Sequence, residues 1–378
     1  MNEPLEVHVL GGKKGESIIL RLPGDNWGVV DNYTPSLKHP EKNPSARFLR
    51  GRGVRHLRFL CLTHPHDDHY RGMSQVLEDF APDQVWLFGA ASPRYLYEKL
   101  APLVKSTIEA EPVDTGDAEN VDELVRLFDR IQADFTDRQR IPPLEVKRLH
   151  LKMPLLQLDC APPLRITSIG ASAGQCLLYE QSLMDCFNAK EGVLADEQPS
   201  IDHNMISGGL LIEYGEARVV LGGDIDAAAW EETMRTLTPE RLSSELVKIS
   251  HHGSSTGYCG GLWERLSPGK KTVAVLTPFS SQGLPSPEGL EHIISKAKRV
   301  YSASIGGARL AANWDDYALD GLFAAESADI LLTLRSVFSR TPPSSERLEG
   351  ICSFLVHSDG TVDYSGHGDA GSLTTPTS

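Results

Sequence analysis

The sequence predicts an α/β protein in which two β-sheets pack together with helices on the outside. Three observations lead there. Strand-like runs and helical patterns alternate in blocks along the chain: strands, then helices, then strands, then helices. Several of the strand-like runs are short and apolar throughout, as expected of strands buried on both faces. One of them, spanning 57–62, leads straight into Thr63-His64-Pro65-His66-Asp67-Asp68-His69, so chemistry is placed at a strand end.

The elements follow in order. Leu5-Glu6-Val7-His8-Val9-Leu10 alternates and reads as a strand, with Gly11-Gly12-Lys13-Lys14-Gly15 as the turn and Ser17 to Leu22 as its hairpin partner. Trp27-Gly28-Val29-Val30-Asp31 is a third strand that ends in a carboxylate. A helix is expected near 71–80 and a buried strand at Gln84 to Gly89. Two amphipathic patterns come next, one through Leu100, Leu103, Val104 and Ile108, the other through Val121, Leu124, Val125, Phe128 and Ile131. A proline-punctuated stretch from Ile141 to Pro163 then opens a second β-rich half. Strands are expected there at 164–169, 209–214 and 217–221, the last two joined across Gly215-Glu216. Further strands are expected at 245–250, 272–277 and 298–303, with helices at 227–237 and 287–298. Ser353 to His357 pairs with Gly360 to Tyr364 across Ser358-Asp359. The Gly/Ser/Thr/Pro-rich tail, 367–378, reads as disordered. The domain assignment is therefore a single unit over 1–366, with insertions at about 92–163 and 306–346.

Composition narrows the function classes. With 378 residues, 40% hydrophobic and 23% charged, the chain has ample material for a core. No run of about 18 apolar residues exists, so no membrane span is expected. The N-terminal Met1-Asn2-Glu3-Pro4 does not read as a basic, apolar leader. Six cysteines are scattered without a CxxC pair, which fits buried free thiols and a cytoplasmic setting. A net charge of −14 argues against a surface-wide grip on nucleic acid. It does not exclude a polyanionic substrate, because bound divalent metals can supply the positive charge locally.

The segment after Leu62 carries the chemistry. His64 and His66 are two apart, so in extended chain they point the same way and can share one metal. Asp68 and His69 follow once the chain has begun to turn and can reach a second site. Imidazole with carboxylate suits zinc, or manganese or iron with harder donor sets.

Together His64, His66, Asp68 and His69 form HxHxDH, which resembles the signature of the metallo-β-lactamase superfamily. The resemblance covers about residues 5–305 and implies that family's αββα sandwich, here with helical insertions. Family members place a metal-bridging Asp after a later strand and a final His after the strand following that. Val219-Val220-Leu221-Gly222-Gly223-Asp224 matches the first, and Leu246 to Ser254, with its His251-His252 pair, matches the second. Both histidines are candidate ligands, and His251, which directly follows the strand, is the expected one. Asn204-Met205-Ile206-Ser207, Gly223-Asp224-Ile225 and His251-His252-Gly253-Ser254 look like the soluble domain of competence-type DNA-uptake proteins. They are similar also to the phosphorylcholine esterases. That branch lacks an obvious isolated middle His, and here only His150 and His203 lie between His69 and Asp224. His203, next to Asn204, is the candidate of the two. Leu284-Pro285-Ser286-Pro287 departs from the His-Pro that relatives often show.

The resemblance implies a hydrolase with two divalent ions, zinc foremost, bridged by Asp224 and completed by Asp68, which also orients the nucleophile or handles its proton. Asp31 matches a position that supports the histidine ligands. Lys248 reads either as a contact for an anionic substrate or as a solvated strand-edge lysine. An Asp at position 224, where one type of β-lactam-opening enzyme has Cys, is the pattern of phosphoester and thioester hydrolases, and the branch resemblance added to it favours a phosphodiester, either a small molecule or a nucleic acid. Thioester or lactone hydrolysis, or a metal-binding scaffold without catalysis, are the alternatives. Nothing in the sequence selects a protein partner.

Overall fold

The computed structural model describes residues 2–12, 14–90, 115–189, 202–305, 308 and 350–373. The chain begins with an antiparallel meander, β1 (Leu5–Gly11), β2 (Ser17–Leu22) and β3 (Asn26–Val30). Three strands then add in parallel: β4 (Phe59–Leu62), β5 (Gln84–Phe88) and β6 (Glu145–Leu149). The second sheet repeats this plan. β7 (Pro154–Leu158), β8 (Leu164–Gly170), β9 (Gly208–Tyr214) and β10 (Ala217–Leu221) are antiparallel. β11 (Leu246–Lys248), β12 (Val273–Leu276) and β13 (Arg299–Ser302) continue in parallel. β14 (Gly350–Val356) and β15 (Val362–Gly368) return to pair beside β1, and β16 (Gly371–Ser372) closes the far edge beside β13. Each sheet has eight strands.

Burial explains the apolar runs. Alternate residues such as Val7, Ile18, Phe59 and Trp86 meet Ile166, Leu210, Val219 and Leu246 between the sheets. The opposite faces are covered in turn. Leu60, Leu62 and Val85 of the first sheet pack under helix residues Met73, Val76, Phe80, Leu127 and Ile131. Val220, Val247 and Val300 of the second pack under Trp230, Trp263 and Ile293. The result is helix, sheet, sheet, helix: the αββα sandwich of the metallo-β-lactamase fold. Two positions show how tight the packing is. Phe59 stacks on Trp86 with ring centroids 3.9 Å apart, and a Cβ on Gly28 would lie 2.2 Å from the Phe59 ring.

The structure differs from the sequence reading in several places. β6 and β7 lie within the stretch assigned to an insertion, as edge strands of the two sheets. Helix Ala173–Ala189 was not expected. Residues 367–372, assigned to a disordered tail, reach the sheets through β15 and β16. The strand pairing continues there because Gly366 to Gly368 line up with Gly350 to Cys352. Lys248 is neither solvated nor at a strand edge, since β11 is central and the side chain is fully buried. The helical pattern at Leu100 to Ile108 and the insertion at 306–346, apart from Ala308, lie outside the described residues. Among the described residues no helix is long and apolar enough to cross a membrane.

Candidate metal centre

The centre forms where parallel strands of both sheets end, the carboxyl end at which open α/β sheets place their ligands. β3 ends at Val30, and Asp31 follows with φ at 56°, in the left-handed region. Its buried carboxylate accepts three hydrogen bonds, from Thr63 N at 2.8 Å, the Thr63 hydroxyl at 2.7 Å and His69 Nδ1 at 2.8 Å. The last of these holds a proton on His69 Nδ1 and turns Nε2 toward the centre.

β4 delivers the HxHxDH segment. His64 and His66 lie on one side of the extended stretch, with His64 Nε2 2.9 Å from His66 Nδ1. The chain then turns into the short helix Asp67–Tyr70, which swings Asp68 and His69 to a second position. β10 delivers Asp224 from the other sheet. Gly222 and Gly223 are required there: a Cβ on Gly222 would lie 2.2 Å from Ser250 Oγ, and Gly223 has φ at +49° with no room beside Gly208 O. Ser207 Oγ receives the Asp224 amide at 2.9 Å.

β11 delivers the histidine pair. His251 and His252 both adopt positive φ, 47° and 51°, a strained backbone that the surrounding contacts must hold in place. It is His252 that faces the centre, with Nε2 3.0 Å from Asp68 Oδ2 and 3.7 Å from Asp224 Oδ2. Its Nδ1 is held by Thr277 O at 2.9 Å and Thr277 Oγ1 at 3.1 Å, after β12. His251, expected as the inward member, turns instead to Thr256 Oγ1 at 3.0 Å and Asn204 Nδ2 at 3.4 Å. The left-handed turn reverses the direction that strand alternation predicts.

Two triads able to hold an ion result, His64 with His66 and Asp224, and Asp68 with His69 and His252, the donor atoms of each lying within 4.8 Å of one another. Asp224 sits between them: its Oδ1 is 3.4 Å from His69 Nε2 and its Oδ2 is 3.9 Å from His64 Nε2. These residues could hold two metal ions. The donor set fits such ions, because His69 Nε2 and Asp224 Oδ1 are buried without a hydrogen-bond partner.

Electrostatics agree. Burial pushes His64 well down and His66 down, toward the neutral imidazole that binds metal. Burial alone would raise Asp68 and Asp224, but the histidines around them, His69 foremost, outweigh it and hold both carboxyls well below the usual range. Burial likewise opposes charge on His69, and Asp224, Asp68 and Asp31 overcome it, so its pKa lies well up. The cluster thus attracts positive charge.

Other expected residues fall around the centre without joining a triad. His203 donates to or accepts from the Tyr179 hydroxyl at 2.7 Å, its ring centroid 5.2 Å from that of His66, and burial pushes its pKa to about 3. Asn204 Oδ1 is buried and unpartnered. His150 lies elsewhere, beside Gly89 and Cys176. Glu16 was missed. It is fully buried, in direct ionic contact with Lys248, and accepts from Thr277 Oγ1 at 3.1 Å. A signal existed, because a lysine inside the apolar run Leu246 to Ile249 must find a carboxylate if it is buried.

No family model matches the chain, and no curated protein matches it. Solved structures do resemble it. A new diphosphatase from the PhnP family aligns at 12% identity over 72% of this chain and 86% of its own, with a TM-score of 0.34. Unliganded yeast PDE1 aligns at 12% identity over 73% and 88%, with a TM-score of 0.40. A long form of RNase Z from yeast aligns at 11% over 73% of this chain but 36% of its own, with a TM-score of 0.35. Likenesses this distant assign no activity to this chain.

Proposed function

We propose that the protein is a hydrolase that uses two divalent metal ions, zinc foremost, to cleave a phosphodiester. The observation that carries this reading is Asp224, a buried carboxylate set between two ligand triads with an oxygen left unpartnered. Ions held there would lower the pKa of a bound water and offset phosphate charge. His64, His66 and Asp224 would hold one, and Asp68, His69 and His252 the other. Asp224, an acceptor with two oxygens, reaches both triads and fixes their spacing. Asp68 lies 3.0 Å from His252 and 3.4 Å from His69 Nε2, so it can orient a nucleophile and take its proton. Asp31 and Thr277 hold the rings of His69 and His252 in place through their Nδ1 atoms. His203, its ring 5.2 Å from that of His66, and Asn204, 3.4 Å from His251, would meet substrate rather than metal. Lys248 serves Glu16 rather than the substrate. The described cysteines are free thiols, which suits a cytoplasmic enzyme.

The test is elemental analysis with parallel assays of a generic phosphodiester and a generic thioester. We expect about two transition-metal ions per chain and phosphodiester turnover restored by zinc or manganese after chelation. Metal without turnover would favour the scaffold, and thioester turnover alone would favour carbonyl chemistry.

A further inference from the structure

A cavity of about 620 Å³ lies between the β1–β2 turn, helix Pro44–Gly51 and the paired ends of β14 and β15, lined by none of the triad residues. Two contacts join its lining to neighbours of the triad residues. Gly11 lines it, and a Cβ there would lie 3.1 Å from Thr277 Cγ2, the residue that grips His252. Lys14 also lines it, and its Nζ reaches Asp67 Oδ2 at 2.7 Å, one residue before Asp68. The walls are apolar: Leu10, Tyr33, Pro44, Phe48 and Ile351. Gly15 makes the Tyr33 wall possible, since its φ is +80° and a Cβ would lie 2.1 Å from that ring.

The charge of the lining stands apart from that of the chain. The protein carries 51 acidic residues and a net charge of −14. Among the described residues that line the cavity there is no carboxylate, while Arg47, His367 and Lys14 are there, the last paired with Asp67 just outside the lining. Arg47 is exposed and has no ion pair among the described residues. An apolar slot with cations, whose Lys14 reaches the neighbour of Asp68 and lies over the Phe279 ring that packs against His252, suits an anionic ester that carries an apolar group. The volume is within the range that accommodates a ring and leaves a methyl group largely unsupported.

We infer that this cavity is the subsite for the non-leaving group of the substrate, an aryl-sized apolar group whose phosphate is drawn in by Lys14. The inference rests on the phosphodiester reading above and names the substrate class.

The test compares bis(p-nitrophenyl) phosphate with methyl p-nitrophenyl phosphate on the zinc-loaded protein, since the two share a leaving group and differ only in the group the cavity would take. Ile351→Trp, which fills the cavity, and Phe48→Ala, which removes a wall, should each lower the kcat/KM ratio of aryl to methyl ester by about tenfold. Metal content and thermal melting confirm that the variants are folded and loaded. A second readout is independent of turnover: phenylphosphonate binding by calorimetry should weaken to a similar degree in both variants and in Lys14→Met. Hydrolysis of both esters with a ratio that neither variant changes would overturn the cavity assignment and leave the phosphodiesterase reading intact. Cavity-dependent phenylphosphonate binding without hydrolysis of either ester would do the reverse. Binding that all three variants leave unchanged overturns the inference whatever the hydrolysis shows.

Discussion

Replacing Lys248 by Met probes the least expected feature of the centre. Lys248 and Glu16 are both fully buried and in direct contact; burial pushes the Lys248 ammonium well down, and the Glu16 carboxylate against it opposes that as its counter-charge. Glu16 also lies within 4.8 Å of donor atoms of Asp31 and of Asp224. A pair of carboxylates at that distance repels by roughly 3 kcal/mol at an effective dielectric of about 20. Lys248→Met removes the one ammonium that offsets this and leaves an uncompensated buried charge, which costs about 3–5 kcal/mol. Glu16→Gln leaves the ammonium stranded and should cost a similar amount. The double variant removes both charges, and its cost should fall well short of the sum, with a coupling of about 2 kcal/mol or more. Urea unfolding of the zinc-loaded protein, followed by tryptophan fluorescence with unchanged m-values, reads all four corners of the cycle. Single variants within about 1 kcal/mol of the parent, or a double variant equal to the sum, would refute the argument. In either case Lys248 would not be neutralising Glu16.

Four further outcomes follow from the geometry. Asp31→Asn presents an amide where His69 Nδ1 donates, which favours the tautomer with its proton on Nε2; metal affinity should fall by about 10–100-fold in chelator competition, with folding kept. Asp224→Asn removes the charge between the two triads, and we expect the loss of at least one ion and a drop in turnover of about 100-fold or more, in a chain that stays folded but melts lower by the stabilisation the lost ion supplied. His252→Ala should lose one metal ion by elemental analysis while His251→Ala keeps both, and the opposite result would return His251 to the ligand set. Glu6 is held at about 2 by the hydrogen bond from His8, against burial and with help from Arg21, well below its ordinary 4.5. Its contribution is complete above about pH 4.5 and disappears as pH falls through 2, so Glu6→Gln should flatten acid unfolding across that window.

Much of the fold was legible because most strands of this sandwich are covered on both faces. Val219 to Leu221 and Phe59 to Leu62 are buried throughout, so they appear in sequence as unbroken apolar runs. The elements that were missed lack that signal. β6 reads Glu-Val-Lys-Arg-Leu and sits at a sheet edge, where only Leu149 is fully buried. Helix Ala173–Ala189 leaves Leu177 and Leu178 exposed, which blurs its apolar stripe. In the centre, the four residues of the HxHxDH segment are local and were found together. Choosing between His251 and His252 depends on two left-handed residues in succession, which no spacing rule predicts. The Glu16–Lys248 contact joins residues far apart in sequence, through strands in different sheets.

That last point extends to the centre as a whole. Each triad draws two ligands from the segment after β4 and one from the second sheet, Asp224 in the first and His252 in the second. Neither sheet alone supplies a complete set, so the sites exist only when the two sheets are packed face to face. Glu16, Asp31, Asp68 and Asp224 are four buried carboxylates against one buried ammonium, Lys248, an excess of negative charge that the raised pKa of His69 offsets only in part. The apolar contacts between the sheets must hold that charge together when no cation is bound. Two divalent ions would more than cancel it. The free energy of binding them is therefore also free energy that fastens one sheet to the other. Site and sandwich depend on each other: the packed strands bring the ligands into range, and the ligands give the packed state something the unfolded chain cannot bind as well.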